Sequence, residues 1–298
     1  MKHQDNTLNL IFSIVDDFCK TQTHLKKRKM NKRGPHYRYS DNKILKMIAI
    51  KYLSGIGSDR SLVRMFKHGL AKGLFRKIPD HSRFNRRCKA LAQCLVEFQK
   101  YLTDKLDTGS NPIRILDSTP IPVVSYLRSN RSSSFPEANY GYCAAKQDKY
   151  YGFKLHMAIT PSGIPTNYDL TPANISDGKM TEELIELYDY LIAIGDKAYI
   201  DKDKQQRLIR HNKKLITPYR KNQKQKNSEF EQQLLKLRKR IETVFSQFKE
   251  QMYLNKTRAK SLIGLISRVL GIITSFTLGI YINNIRGNKL LKIKGLLA

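Results

Sequence analysis

The sequence predicts an α/β protein, a mixed sheet flanked by helices behind an all-helical N-terminal domain. Three observations predict it. Through residue 110 the apolar residues recur at three-four spacing, the helical period. From Ile113 onward the pattern changes to extended runs and turn signals that alternate with helical stretches. Hydrophobic residues make up 40 % of the 298-residue chain, enough for a packed core and too many for a wholly disordered one. The chain divides accordingly into a helical domain over 1–110, a sheet domain over 111–285 and a basic tail over 286–298.

In the helical part, Leu8, Ile11, Phe12, Val15 and Phe18 share one helix face. Ser40 and Ser58 precede two further apolar stripes and read as N-caps, with stops near Gly55 and Gly69. A longer helix is expected after Pro79, on Phe84, Cys88, Leu91, Leu95, Phe98 and Leu102. Its first turns hold Arg83, Arg86, Arg87 and Lys89. That basic start fits a DNA-binding helix, with Arg86 and Arg87 as contacts, and equally a bundle with a solvated basic face. The run LKKRKMNKR (25–33) reads as a linker or arm.

In the sheet part, strands are expected from Ile113 through PIPVVSY, over Tyr150–Ile159, over Gly163–Leu170, at Ile192–Ile194 and at Lys214–Thr217. Helices are expected over Lys179–Leu191, Asp201–His211, Ser228–Met252 and Ser261–Ile285. Residues 127–149 read as a polar loop carrying Arg128, Arg131, Lys146 and Lys149, a second candidate for DNA contact. Tyr140 and Tyr142 in that loop could stack on bases but read rather as packing residues, and His156 as a sheet histidine rather than a metal ligand.

Charge narrows the partners. The chain has 55 Lys+Arg against 25 Asp+Glu, a formal charge of +30. Residues 1–110 hold 24 basic and 9 acidic residues, and 111–298 hold 31 and 16, so the excess is spread over both domains. Such an excess implies an anionic partner, nucleic acid or an acidic membrane surface. Val269–Ile285 lacks charge for 17 residues, at the lower edge of a membrane span. Its Ser, Thr, Gly and Asn content favours a buried core helix, so no membrane partner is expected. The N-terminal apolar stretch is broken by Asp16 and Asp17 and precedes no cleavage-like site, so no signal peptide is expected. Cys19, Cys88, Cys94 and Cys143 form no C-x-x-C pair, which argues against structural zinc and for a reducing compartment.

Three carboxylates stand out by context. Asp117 ends the apolar run ILD in a strand; it is a site residue facing a cation or the first residue of an Asp-Ser-Thr-Pro turn. Asp196 lies where the strand LIAIG meets the next helix, a ligand position in α/β sheets and also a good N-cap. Glu242 lies at the edge of the apolar stripe Leu234, Leu237, Ile241, Val244, Phe245, Phe248 and Met252. Arg238 and Lys249 share its face, and an Arg238–Glu242 surface pair is the plain alternative. Together the three carboxylates can hold two Mg²⁺ or Mn²⁺ ions, which prefer hard oxygen ligands. Two such ions can drive phosphodiester chemistry.

The stretches ILDSTPIPV, YGYCAAK, YGFKLH, GIPTNYDLTPANISD, GDKAYI, TPYRKNQK and RKRIETVFSQFK resemble DDE-type transposases of bacterial insertion sequences, most closely the insertion sequence 982 family. The resemblance runs over about 35–285 and is strongest over 111–260. It implies a ribonuclease-H-like catalytic domain with Asp117, Asp196 and Glu242 as catalytic, metal-binding residues using two Mg²⁺ or Mn²⁺ ions. It implies cleavage of double-stranded DNA at transposon ends, joining to target DNA, a homodimer on paired ends, and action at the nucleoid in a bacterial cytoplasm. Arg238, Glu242 and Lys249 match the Tyr-x2-Arg-x3-Glu-x6-Lys signature of the related insertion sequence 4 group, with Leu235 in place of the Tyr. By that similarity Arg238 and Lys249 touch DNA near the cleaved phosphate. The second-Asp motif often reads Asp-x-Gly-Tyr; here Ala198 replaces the Gly, a small change unless the backbone needs positive φ. A catalytically inactive DNA-binding copy and a ribonuclease-H-like structure-specific nuclease are the alternatives.

Overall fold

Ser40, Ser58 and Asp80 each start a helix by accepting a backbone N–H three residues on, from Lys43 at 3.3 Å, Ser61 at 3.0 Å and Arg83 at 2.9 Å. The computed structural model describes residues 2–22, 39–69, 71–143, 147–186, 188–219 and 226–297. The arm at 25–33, Lys146 and most of the basic loop at 220–227 lie outside the described residues. The chain forms two compact units, residues 1–106, 250–259 and 263–298 in one, and residues 107–249 and 260–262 in the other.

The first unit is helical: α1 (Lys2–Thr21), α2 (Asp41–Leu53), α3 (Asp59–His68), α4 (His81–Ala90) and α5 (Ala92–Lys105). The single helix expected after Pro79 is two. Leu91 leaves helical geometry at φ −100° and ψ 9°, so the apolar spacing carries on across a bend. The compact units also divide differently from the expected boundary at 285, because most of the long C-terminal helix groups with this unit. That helix is apolar nearly all round and needs apolar neighbours on every side. A Cβ at its Gly271 would come within 2.8 Å of the Tyr52 ring on α2, so the glycine permits the close approach. Its Thr274 hydroxyl donates to the Leu95 carbonyl of α5 at 3.1 Å. By length and composition the helix could cross a membrane, but 83 % of its most apolar stretch is buried within the protein.

The second unit is built on β1 (Ile113–Val124), β2 (Asn139–Cys143), β3 (Asp148–Ile159), β4 (Pro165–Pro172), β5 (Leu191–Ile194) and β6 (Lys213–Ile216). The strand order is β2-β3-β1-β5-β6, with β4 on β3 beside β2. β1 runs antiparallel to β3 and parallel to β5, and β5 parallel to β6. This mixed sheet with helices, after an all-helical region, is a ribonuclease-H-like fold. β2 arises inside the expected polar loop, where only Tyr140 and Tyr142 alternate around Gly141, too short a run to stand out from the loop. A Cβ at Gly152 would lie 2.2 Å from the Ile121 carbonyl, so only glycine lets β3 approach β1 there.

The helices of this unit are α6 (Thr181–Ile185), α7 (Lys202–Arg210), α8 (Glu229–Lys236) and α9 (Lys239–Glu250), and the C-terminal helix is α10 (Leu262–Ile285). The helix expected over Lys179–Leu191 shrinks to a 3-10 turn, Asp177–Met180, and the short α6. Its apolar residues Met180, Leu184 and Ile185 still join Leu116, Ala158, Leu191, Tyr199 and Leu215 in one core. The helix expected over Ser228–Met252 is broken at Leu237–Arg238. There the bonds shorten to three-residue spacing, Leu237 N–H to Leu234 and Arg238 N–H to Leu235.

Candidate active site

Register places the first two carboxylates. The parallel pairing of β1 and β5 ends at Ile115 opposite Ile194. Each chain then runs two residues further, to Asp117 and to Asp196. Paired strands lie about 4.8 Å apart, so the two positions are neighbours. β5 ends there while β1 continues to Val124 beside β3 alone. The result is an open edge at the carboxyl ends of parallel strands, where such sheets bind ligands. Pro120 and Pro122 fall on this overrun, where no strand on the β5 side needs their missing N–H groups.

Asp117 accepts the Ser118 N–H at 2.8 Å. Its carboxyl is nevertheless pushed up to about 6. Burial is the main cause, the Ser118 N–H opposes it, the negative charge of Asp196 and then Asp177 adds to it, and Arg238 opposes it. Asp196 accepts the Ala198 N–H at 2.7 Å and so opens the 3-10 turn Lys197–Tyr199. The cap and the strand-end positions expected for Asp196 are therefore the same position. Ala198 is not among the residues with positive φ, so alanine carries no backbone strain there. Tyr199 is fully buried, and its hydroxyl has no hydrogen-bond partner among the described residues. Burial raises its phenol well above 10, and Asp177, Asp117 and Asp196 add to the rise.

The third carboxylate stands apart. Glu242 is exposed in the first turn of α9 and forms no ion pair among the described residues. Arg238 sits at the α8–α9 break, and its charge acts on Asp117. Its Nε is buried with no hydrogen-bond partner among the described residues. The expected Arg238–Glu242 surface pair is absent among them. Lys249 is half-buried. Arg128 and Arg131 are exposed on the 3-10 turn Tyr126–Arg131. In the helical unit, Arg86 is exposed, but Arg87 is buried and ion-paired with Asp41 of α2, so it ties helices together.

Of the two tyrosines expected to pack, Tyr140 meets Tyr126 edge-on and Tyr151 at a tilt, with its hydroxyl 2.5 Å from the Asn130 amide oxygen, but it stays 42 % exposed and Tyr142 58 % exposed. His156 is fully buried with Nε2 2.8 Å from the Thr171 hydroxyl, and burial drops its imidazole to about 4 despite Asp177 nearby. Sequence reasoning missed Asp177. It accepts the Ser118 hydroxyl at 2.8 Å and pairs with Lys154 at 3.2 Å. The stretch TPANISD carries it, but a carboxylate just before a helix reads as a cap.

The donor chemistry suits a divalent ion. Mg²⁺ commonly takes one or two carboxylates and completes its shell with water and phosphate oxygens. Asp117 and Asp196 supply two, and the crowding of negative charge around Asp117 favours a cation. Among the described residues no group of three metal-ligating side chains is gathered closely enough to hold an ion.

The resemblance read in the sequence implies a DDE-type transposase, and a ribonuclease-H-like sheet is the fold it implies. The chain belongs to that family: the model of the transposase DDE domain matches residues 107–262, more than half of its length. No curated protein matches it. Among solved structures it is similar to the piggyBac transposase, determined by cryo-electron microscopy in a synaptic complex with hairpin DNA. The identity is 12 %, the alignment covers 99 % of this chain and 78 % of that one, and the TM-score is 0.51. At that identity the likeness is one of fold.

Proposed function

We propose that this protein is the transposase of a bacterial insertion sequence, nearest the insertion sequence 982 family. It binds the element's double-stranded ends, cleaves a phosphodiester bond at each, and joins the freed 3′-hydroxyls to target DNA. The observation that supports this best is the register of Asp117 and Asp196, side by side at an open sheet edge in a chain of the transposase DDE family.

Asp117 and Asp196 would supply carboxylate oxygens at that edge, and Glu242 of α9, which stands apart from them here, would complete the set by moving in when metal and DNA bind. Two Mg²⁺ or Mn²⁺ ions, when bound, supply Lewis acidity at the attacking and leaving oxygens. Arg238 offsets negative charge beside Asp117 and would offset that of a scissile phosphate bound there. Lys249, Arg128 and Arg131 meet the DNA backbone, and Arg86 meets it from the helical unit. The protein acts as a homodimer on paired ends and works in the bacterial cytoplasm. A synaptic complex with DNA, the state in which the piggyBac transposase was determined, is the kind of assembly this reading calls for.

The test uses the purified full chain, Mg²⁺ and labelled duplexes carrying the element's own ends. Scrambled ends and the Glu242→Gln variant run beside it. End-specific nicking by the wild type alone supports the reading. Binding without nicking in Mg²⁺ and Mn²⁺ alike would make it an inactive DNA-binding copy. Cleavage that follows duplex structure and ignores end sequence would make it a structure-specific nuclease.

A further inference from the structure

Ser118 has two grips. Its backbone N–H holds Asp117 at 2.8 Å, and its hydroxyl donates to Asp177 Oδ1 at 2.8 Å. Strand alternation puts the Asp117 and Ser118 side chains on opposite faces of β1. Ser118 faces His156 of β3 in register, and Pro120 faces Lys154, so Ser118, His156 and Lys154 share the face that Asp177 covers.

Asp177 is itself held firmly. Lys154 Nζ lies 3.2 Å from the same Oδ1 and also donates to the Ile175 carbonyl at 3.0 Å. His156 Nδ1 is 3.7 Å away on a ring fixed through Nε2 to Thr171. The turn carrying Asp177 is pinned by Lys204, whose ammonium donates to the Gly178 carbonyl. That turn also meets the turn of the second carboxylate: a Cβ on Gly178 would be 3.4 Å from the Ala198 carbonyl. The carboxylate, 19 % exposed at its side chain, thus braces the backbone segment that carries Asp117, and the turn it sits on lies against the turn of Asp196.

We propose that Asp177 is a positioning residue for the metal-binding carboxylates, fixing Asp117 through the Ser118 hydroxyl and backbone. This rests on the two-metal reading above. An apolar pair at 118 and 177 would fill the space without a hydrogen bond. The polar pair instead holds the Ser118 backbone so that its N–H keeps one oxygen of Asp117 in place. Groups that orient a metal's ligands in this way change metal affinity about 10–100-fold when removed.

The experiment measures Mn²⁺ binding to the full chain by electron paramagnetic resonance, for the wild type, Asp177→Ala, Asp177→Asn and Ser118→Ala. Circular dichroism and melting temperature are recorded for each. Asp177→Ala and Ser118→Ala are expected to weaken Mn²⁺ binding about 10-fold or more. Asp177→Asn keeps an acceptor for Ser118 and is expected to recover most of that loss. If Asp177→Ala does not fold, Asp177→Asn and Ser118→Ala carry the comparison. Affinities within twofold of the wild type for the alanine variants would overturn the proposal. So would an asparagine variant as weak as alanine, or a wild type that binds no Mn²⁺. A wild type that binds Mn²⁺ but nicks no end DNA would overturn the transposase reading and leave this one to be judged on the affinities alone.

Discussion

Arg268 of α10 donates to Asp59 Oδ2 of α3 at 3.0 Å, across 209 residues of sequence. The other oxygen of Asp59 takes Lys51 of α2 at 2.6 Å, and Asn85 of α4 adds a bond at 3.0 Å. One carboxylate therefore joins four helices of the first unit. It also stands in the first turn of α3, where a negative charge suits the helix dipole.

Removing that charge strands two cations. Burial alone would raise the Asp59 carboxyl, but Lys51 and Arg268 outweigh it and hold the group below 3.8. A depressed carboxylate stabilises the fold above its unfolded pKa, and that stabilisation fades as pH falls through the folded value. Asp59→Asn is expected to cost about 3–5 kcal/mol at pH 7. The gap between wild type and variant should close as pH drops below 3.8. Urea unfolding of both proteins at pH 7 and in acid checks it; a gap that stays constant with pH would separate Asp59 from the effect.

Asp117 has the opposite sign. Its carboxyl is raised to about 6, mainly by burial, so the folded state holds a proton that the unfolded state has released. Its stabilising share is complete below 3.8 and is lost as pH rises through about 6. In metal-free protein Asp117→Asn is therefore expected to gain about 2–3 kcal/mol at pH 7.5 and almost nothing at pH 3.5. Adding Mg²⁺ should raise the melting temperature of the wild type and leave that of the variant nearly fixed. A variant less stable than wild type in metal-free buffer at pH 7.5 would contradict the burial argument.

What was legible in the sequence was what depends on near neighbours. Ser40 and Ser58 announce helix starts because a cap needs only three residues. Asp117 and Asp196 stand out because each ends an apolar run. Continuity misleads at Leu91 and Leu237, where the apolar stripe crosses a break that only backbone geometry shows. Asp177 was invisible because its partner Ser118 is 59 residues away and Lys154 is 23 away. Arg86 and Arg87 look alike in sequence, yet one is exposed and the other is buried on Asp41.

That last contrast can be measured. Arg83 and Arg86 are exposed near the start of α4, and because the Arg83–Asp80 pair is solvent-exposed, replacing both with alanine should shift the melting temperature little. End-DNA affinity should fall, and the slope of log affinity against log salt should shrink by about 2 if each meets one phosphate. Arg87→Ala should instead destabilise the helical unit by about 3–5 kcal/mol, because it leaves Asp41 without its partner. Equal affinity losses with unchanged stability in both variants would place Arg87 on the DNA instead.

Ala198 bears on whether this copy works. A glycine at that place would matter if the turn needed positive φ or had no room for a Cβ. Neither holds: Ala198 is outside the positive-φ residues, it is exposed, and its N–H already satisfies Asp196 at 2.7 Å. Glycine would add only backbone freedom, which costs up to about 1 kcal/mol in the folded state. Ala198→Gly is therefore expected to nick end DNA within about twofold of the wild-type rate, since each 1.4 kcal/mol in a barrier is tenfold and the Asp196 carboxylate does not move. Single-turnover nicking rates at saturating protein decide it. A gain of tenfold or more would mean that the alanine displaces the Asp196 turn when DNA is bound.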